Sequence, residues 1–333
     1  MSQLRLNPLN GRWVTIVADR SERPTDFAPR IEPIEADPDR PCPFCPGNEE
    51  ATPPALETYD RDGRWNIRVV PNLYPAFYGA DTMAVRNLGP VHVQASASGI
   101  HEILVFARNH GASWADLDDK AAGLVMAAIR DRMEEHARTP HVRYTQAIVN
   151  HGREAGASLT HPHGQLLGMP FVPGEIVEEE KAFARFEGGC ILCTTIEAEL
   201  TDGSRVVLAD DRAIAIAPFW SGTPYELLVI PREHQAHLQA SAPADLAAVG
   251  RMIRTSLATI ANLLGDVSYN LIFHTAPHHH GGAYHWHAHV WPKLVTTAGF
   301  ERGTGVLINI TPPELAAQEL RKAVSPTLVE AKA

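Results

Sequence analysis

The hydrophobic pattern of the chain occurs twice, at an offset of 124 residues. An apolar run at 101–105 is matched by one at 225–229, and short apolar runs of this kind are typical of buried strands. In both copies a stretch with the apolar spacing of a helix follows, and then a second apolar run. These later segments are 124–133 and 145–149 in the first copy, and 248–257 and 270–273 in the second. The pattern predicts a duplicated strand–helix–strand unit.

Histidines keep the same register in the two copies. The matched pairs are His110 and His234, His161 and His285, and His163 and His287. Chance similarity of two α/β segments is the alternative, but three matched histidines without a gap argue against it. We therefore divide the chain into two halves, 1–172 and 173–333. Outside the repeats, we expect a short strand near 13–17 and a helix after Pro312-Pro313.

The composition is that of an ordinary globular protein, with 44% apolar residues. No apolar stretch approaches the roughly 18 residues of a membrane span, and the N-terminus lacks the apolar core of a signal peptide. We therefore expect a cytoplasmic protein with no membrane partner. The net charge of −10 argues against nucleic-acid binding, which needs basic surface to neutralise phosphates. A small phosphorylated ligand is still compatible with this charge, because a few fixed donors can hold it.

The four cysteines form two C-x-x-C pairs, one ahead of each repeat. In a reducing compartment such pairs are more often metal ligands or redox centres than disulfides. Together with two matched histidines, each pair supplies the four sulfur and nitrogen ligands that structural zinc favours. We predict two structural Zn²⁺ sites, the second of which could hold another metal; redox pairs and ordinary buried residues are the alternatives. The predicted ligands are Cys42, Cys45, His110 and His161 for the first site, and Cys190, Cys193, His234 and His285 for the second.

The segment 150–165 carries the candidate chemistry. Its small residues at 156–158 allow the backbone to approach and hold a phosphate. In an extended chain, residues two apart point the same way, so His163 and Gln165 would share a face with His161. An imidazole placed against an α-phosphorus is a competent nucleophile, and a carboxamide can donate to a phosphoryl oxygen. The alternative is that His163 is a core histidine or only supports a metal ligand.

The second copy differs at these positions. Gln165 becomes His289, and the small residues at 156–158 become His280-Gly281-Gly282. We therefore expect one catalytic repeat and one that is retained mainly for architecture. The neighbouring tract 278–280, three consecutive histidines, is expected to be solvated, with a mobile loop or a metal site as alternatives.

The motif His161-Pro162-His163-Gly164-Gln165 resembles the active-site motif of the galactose-1-phosphate uridylyltransferase family, a branch of the histidine-triad superfamily. The segments Cys42-Pro43-Phe44-Cys45, Arg68–Pro75 and Gly156-Ala157-Ser158 are similar to other family motifs. The resemblance runs from about residue 7 to residue 325.

This resemblance implies an α+β fold of two tandem histidine-triad-like units, with antiparallel sheets and flanking helices. It implies a homodimer and ping-pong transfer through a nucleotidyl-His163 intermediate, stabilised by Gln165. The residues implied to contact the nucleotide are Asn72, Asn150, Gly156 and Ser158, with Arg20 and Arg23 as phosphate contacts.

The segment Gly299–Val306 departs from the uridylyltransferase pattern. Together with Cys190 and Cys193, it looks more like the ADP-glucose phosphorylase branch, which uses inorganic phosphate. We expect a UDP-glucose–hexose-1-phosphate uridylyltransferase of galactose metabolism, whose partners are a nucleotide sugar and a hexose 1-phosphate or inorganic phosphate. The alternatives are a nucleotide-sugar phosphorylase, a histidine-triad nucleotide hydrolase and a zinc protein without enzymatic activity.

Overall fold

The structure, a computed structural model, describes residues 2–17 and 41–325. Its strands are Gln3–Leu6 (β1), Trp13–Ile16 (β2), Glu57–Arg61 (β3), Arg64–Pro71 (β4), Arg86–Asn87 (β5), Val93–Gln94 (β6), Ile100–Val105 (β7), Tyr144–His151 (β8), His163–Met169 (β9), Val206–Ala209 (β10), Ala213–Ile216 (β11), Leu227–Pro231 (β12), Tyr269–His274 (β13), His287–Pro292 (β14) and Leu307–Asn309 (β15). Its α-helices are Asp119–Ala137 (α1), Gly174–Arg185 (α2), Ile191–Asp202 (α3), Pro243–Leu264 (α4), Gly299–Thr304 (α5) and Pro313–Ala323 (α6).

A ten-stranded antiparallel sheet runs through both halves of the chain, in the order β10-β11-β12-β14-β13-β8-β9-β7-β4-β3. The halves join where β8 pairs with β13, with Asn150 opposite Asn270. The predicted α+β fold with antiparallel sheets and flanking helices is confirmed. The two units share one sheet, because pairing β8 with β13 satisfies the backbone groups that two separate sheets would leave at their edges.

The predicted strands and helices of the repeat are all present, with one shifted boundary. The apolar run at 225–229 predicts a strand from residue 225, but β12 begins at Leu227. Tyr225 adopts a left-handed backbone conformation with φ of 57°, and Glu226 N–H donates to the Thr223 carbonyl in a turn. A left-handed residue cannot continue an extended strand, so the strand starts after it.

Helices α1 and α4 cover one face of the sheet. Their buried residues pack against apolar side chains of the central strands, including Val149, Leu166 and Phe273. The two helices approach closely at Gly250, where a Cβ atom would lie 2.6 Å from the carbonyl oxygen of Ala122. Because both helices pack on this face, the opposite face of the central strands is free of them.

Gly250→Ala is therefore expected to lower the free energy of unfolding by about 1–3 kcal/mol, the usual cost of overpacking. This loss would occur although alanine favours a helix over glycine by about 1 kcal/mol. Chemical denaturation would measure it. The control is Gly174→Ala in α2, where the added Cβ meets no atom within 4 Å. If both variants were equally stable, the close contact would not constrain the helix pair.

The N-terminal strands pack on the second half of the chain. The strands β1, β2 and β15 form a three-stranded sheet in which β2 and β15 run parallel. Arg5 adds an ion pair with Glu314 at 2.9 Å. The predicted strand near 13–17 and the predicted helix after Pro312 are observed as β2 and α6. The division into 1–172 and 173–333 stays a prediction. Among the described residues, no helix has the length and apolar character to cross a bilayer.

Candidate active site and metal sites

The face of the sheet opposite α1 and α4 carries polar side chains from five neighbouring strands. Residues directly opposite each other in paired strands, and residues two apart within a strand, lie on the same face. The observed registers bring together His101, Asn150, His163, Gln165, Asn270, His287 and His289 on this face. The predicted sharing of a face by His163 and Gln165 is what the pleat of β9 produces.

The first predicted ligand set forms a cluster beside this face. The sulfur and nitrogen atoms of Cys42, Cys45, His110 and His161 all lie within 4.8 Å of one another. His161 Nε2 donates to the carbonyl oxygen of Ala107 at 2.8 Å, so its Nδ1 lone pair faces Cys45 Sγ at 3.5 Å. A ligand histidine is commonly oriented in this way, by a hydrogen bond from its other nitrogen. Two sulfurs and two imidazole nitrogens suit tetrahedral Zn²⁺.

The second predicted set repeats this arrangement. Cys190, Cys193, His234 and His285 also place their ligand atoms within 4.8 Å of one another. His285 Nε2 donates to the carbonyl oxygen of Pro231 at 2.9 Å, and its Nδ1 lies 3.5 Å from both sulfurs. Pro231 lies 124 residues after Ala107, whose carbonyl oxygen accepts the hydrogen bond from His161 in the first cluster. The duplication read from the sequence therefore extends to the hydrogen bonds that orient the ligands.

His163 opens strand β9 and presents one free ring nitrogen. Its Nδ1 donates to the carbonyl oxygen of His161 at 2.8 Å. The ring also contacts Phe44, at 5.3 Å between ring centroids, and the side chain is only 6% exposed. Burial lowers the pKa of His163, and the hydrogen bond to the carbonyl only partly offsets this. A neutral ring with a proton on Nδ1 leaves the Nε2 lone pair available for attack on an electrophile.

Gln165 lies one pleat further along β9. Its Oε1 is 2.9 Å from Nε2 of His101, a residue of β7. Asn72, which follows β4, places its Nδ2 3.1 Å from the same ring nitrogen. The structure thus brings together Asn72 and Gln165, which were predicted from their motifs, around a histidine that the sequence analysis missed. The sequence analysis counted His101 only as part of the run 101–105, and no local motif marks it as a site residue.

Asn150 is held by the second repeat. Its Oδ1 accepts a hydrogen bond from Asn270 Nδ2 at 2.7 Å, and the same nitrogen donates to the carbonyl of Ala155 at 2.8 Å. The turn that follows places Gly156 in the left-handed region, with φ of 88°. Gly156 and Ser158 are exposed, as a phosphate-binding turn requires. Arg20 and Arg23 lie outside the described residues.

Two family models match the chain. The model described as galactose-1-phosphate uridyl transferase, N-terminal domain, matches residues 1–173, and a domain of unknown function, DUF4921, matches residues 98–333. The chain belongs to the galactose-1-phosphate uridylyltransferase family. The resemblance read from its motifs is confirmed.

Relatives within this family cover nearly the whole chain. An ADP-glucose phosphorylase from Arabidopsis thaliana is 30% identical and covers 96% of this chain and 92% of its own. A galactose-1-phosphate uridylyltransferase from Thermotoga maritima is 27% identical, with coverages of 97% and 98%. The solved structure of an Arabidopsis thaliana ADP-glucose phosphorylase with bound ADP-glucose superposes with a TM-score of 0.82 at 29% identity, over 98% of this chain and 99% of that one.

This member of the uridylyltransferase family has a third cluster of ligand atoms that the sequence analysis missed. Glu179, His274, His287 and His289 place theirs within 4.8 Å of one another, and all four side chains are buried. His274 Nδ1 lies 2.8 Å from Glu179 Oε1, and the Tyr284 hydroxyl donates to the other carboxylate oxygen. The sequence analysis interpreted His287 and His289 only as counterparts of first-repeat residues. No sequence pattern singled out His274, or Glu179 of α2.

Unpartnered nitrogens show what this third cluster suits. Within the described part of the chain, His287 Nε2 and both ring nitrogens of His289 are buried without a hydrogen-bond partner. Such atoms are costly unless a further group satisfies them. Three imidazoles and one carboxylate form a donor set that suits iron or zinc. The second repeat therefore offers two sets of metal ligands, more than the architectural role expected of it.

Glu179→Ala is expected to lower the metal content by about one equivalent per chain relative to the wild type, because it removes the only carboxylate of the third cluster. Elemental analysis of protein produced in iron- and zinc-supplemented medium would measure this. The control is Glu180→Ala, which removes the neighbouring carboxylate that pairs with His280 at 2.8 Å. An unchanged metal content in Glu179→Ala would mean that the cluster is a metal-free buried network.

The tract 278–280 is not uniformly solvated, and for His278 the expectation was wrong. His278 is buried, and its Nε2 lies 2.8 Å from Thr145 Oγ1 on β8. Burial lowers the pKa of His278 to about 4, so the ring is neutral at neutral pH. Its backbone N–H donates to the Arg143 carbonyl, which draws the residue onto the sheet, while His279 remains exposed.

Proposed function

We propose that the chain is a nucleotidyltransferase that acts on a nucleotide sugar and carries the nucleoside monophosphate on His163. One observation carries the proposal: His163 Nδ1 donates to the His161 carbonyl at 2.8 Å, so Nε2 is the nitrogen with a free lone pair. That carbonyl also stabilises the positive charge that the ring acquires when Nε2 becomes bonded to phosphorus. The histidine is thus oriented for covalent catalysis.

The reaction has two half-reactions. In the first, His163 Nε2 attacks the α-phosphorus, and the bond from that phosphorus to the bridging oxygen breaks. The oxygen leaves with the electron pair as part of a hexose 1-phosphate. In the second, a phosphate oxygen of the acceptor attacks the same phosphorus, and the nitrogen–phosphorus bond breaks to regenerate the neutral ring. The Gln165 carboxamide donates to a non-bridging oxygen in both steps.

The remaining ligand contacts are proposed from the positions of these residues in the family motifs. We propose that Asn72, Asn150, Gly156 and Ser158 contact the nucleotide, and that Arg20 and Arg23 contact phosphate. The placement of Asn150 beside an exposed turn with a left-handed glycine supports the first group. We further propose Zn²⁺ in the two Cys2His2 sets, where a closed ligand shell gives it a structural role.

Two acceptors are compatible with this mechanism, and different observations favour them. Inorganic phosphate is favoured by the segment Gly299–Val306 and by the ADP-glucose phosphorylase that is 30% identical over 96% of the chain. A hexose 1-phosphate, and with it uridylyl transfer from UDP-glucose, is favoured by the uridylyltransferase family model and the relative from Thermotoga maritima. The first half-reaction is the same in both.

Product analysis tests the function and separates the acceptors. UDP-glucose and ADP-glucose would each be offered with inorganic phosphate, glucose 1-phosphate or galactose 1-phosphate. Formation of a nucleoside diphosphate with phosphate identifies a phosphorylase, and formation of a new nucleotide sugar identifies a hexose-1-phosphate uridylyltransferase. Release of nucleoside monophosphate with no phosphorylated acceptor present would contradict the transferase and support a hydrolase.

We propose a homodimer as the working form. Several large apolar side chains between residues 73 and 93 are exposed, among them Tyr74 at 84% and Val91 at 80%. Monomers rarely expose so many neighbouring apolar residues, and such surfaces are typical of interfaces. Light scattering coupled to size-exclusion chromatography measures the assembly state, and a monomer at micromolar concentration would contradict this proposal.

A further inference from the structure

The ring of His101 makes two directional contacts that fix its tautomer. The backbone N–H of Ala76 lies 3.0 Å from His101 Nδ1, and Gln165 Oε1 lies 2.9 Å from His101 Nε2. A backbone N–H can only donate, so Nδ1 is an acceptor without a proton. The neutral ring therefore carries its proton on Nε2, which donates to Gln165 Oε1.

This tautomer also determines how Gln165 is oriented. With Oε1 held by His101, the amide nitrogen of Gln165 is the end of the carboxamide left for a ligand, and among the described residues no hydrogen bond occupies it. The flipped carboxamide would set its N–H groups against the His101 N–H, which is repulsive. A carboxamide with free rotation would donate to a phosphoryl oxygen only part of the time.

We propose that His101 is a positioning residue that orients Gln165 for donation to the transferred phosphoryl group; this inference rests on the proposed function. It acts through Gln165 and does not itself contact the reacting atoms. Preorganised donors stabilise developing charge better than donors that must rotate into place, because the reorganisation has already been made in folding.

The surroundings of His101 keep it fixed. His101 and Gln165 are diagonal neighbours on the paired strands β7 and β9, since Gln165 lies opposite Ile103. Asn72 Nδ2 lies 3.1 Å from His101 Nε2 and 3.5 Å from His101 Nδ1. Because it is close to both ring nitrogens, it contacts the face of the imidazole. Asn72 Oδ1 meanwhile accepts from the Tyr74 N–H at 2.9 Å. The loop after β4 therefore holds the ring on one side, and the sheet holds it on the other.

Two substitutions separate the contacts of His101. His101→Asn keeps an acceptor near the position of Nδ1 but cannot reach Gln165, whereas His101→Gln places an amide donor near the position of Nε2. We expect His101→Asn to slow formation of the nucleotidyl-enzyme about tenfold, and the KM for the nucleotide sugar to change less than about twofold. His101→Gln should recover the rate to within about threefold of the wild type.

A double-mutant cycle distinguishes positioning from a structural role. Gln165→Ala should slow adduct formation about a hundredfold, as expected for loss of one donor. In that background, His101→Asn should cost less than about twofold, because the group it orients is gone. Two outcomes overturn the proposal. The first is that His101→Asn slows adduct formation by the same factor when Gln165 is alanine, whether through impaired folding or through another contact. The second is that His101→Asn alone forms the adduct at the wild-type rate.

The failure of this inference differs from failure of the proposed function. If the wild-type protein forms no labelled adduct with either UDP-glucose or ADP-glucose, the nucleotidyl-histidine mechanism is wrong. If the wild type forms the adduct and the cycle shows no coupling between residues 101 and 165, only the role of His101 is wrong. Melting temperature and zinc content of each variant would be recorded beside the rates.

Discussion

His163→Ala is expected to yield no labelled nucleotidyl-enzyme and to lower kcat/KM by at least about a thousandfold. The reason is that the substitution removes the ring nitrogen that the proposed function assigns to attack on phosphorus, while the strand that carries it stays paired with β7 and β8. A nucleotide sugar labelled in its α-phosphate would be mixed with the protein without acceptor. The denatured protein would then be counted for bound label and examined by mass spectrometry.

The second repeat provides a matched control for this experiment. His287 occupies the register of His163, and its Nδ1 donates to the His285 carbonyl at 2.9 Å in the same way. His287→Ala is expected to lower stability, because it opens the third cluster, but to leave about one labelled site per folded chain. If His163→Ala retained label and His287→Ala lost it, the catalytic repeat would be assigned to the wrong half.

Cys45→Ser is expected to remove about one equivalent of metal and to lower the free energy of unfolding by about 4 kcal/mol, as loss of a structural metal does. It should also abolish most adduct formation. His161, whose carbonyl accepts from His163 Nδ1, is itself a predicted ligand of this cluster. Releasing His161 therefore releases the carbonyl group that orients His163. Zinc content, denaturation and the rate of adduct formation measure the three effects.

Cys193→Ser separates stability from chemistry. It removes the equivalent sulfur of the second Cys2His2 set, and a similar loss of metal and stability is expected. The rate of adduct formation by folded protein should stay within about threefold of the wild type, because His285 orients His287 and not His163. Equal loss of rate in the two cysteine variants would show that both metal sets act only through global stability.

The sequence predicted those features that depend on residues recurring in register. Both Cys2His2 sets could be predicted because the histidines recur in register and each repeat is preceded by a C-x-x-C pair. The structure gathers each set of four ligand atoms within 4.8 Å. The alternation along β9 likewise predicted that His163 and Gln165 share a face. These predictions needed only local periodicity and the duplication.

Contacts between strands distant in sequence could not be predicted in the same way. Asn270 reaches Asn150 because β13 pairs with β8, and one residue of slip in that pairing would turn the side chain to the other face. His101 meets Gln165 only through the register of β7 with β9. The third cluster adds Glu179 from a helix, and nothing in the local pattern indicates which sheet face that helix covers.

The pairing of β8 with β13 also affects whether either half of the chain could fold without the other. A polypeptide ending at residue 172 would keep His163 but present β8 as an open hydrogen-bonding edge, which favours self-association. It would also lack the amide that steadies Asn150, and β1 and β2 would have no β15 to complete their small sheet. The two repeats are thus complementary, because each supplies strand pairing or side-chain contacts that complete the other.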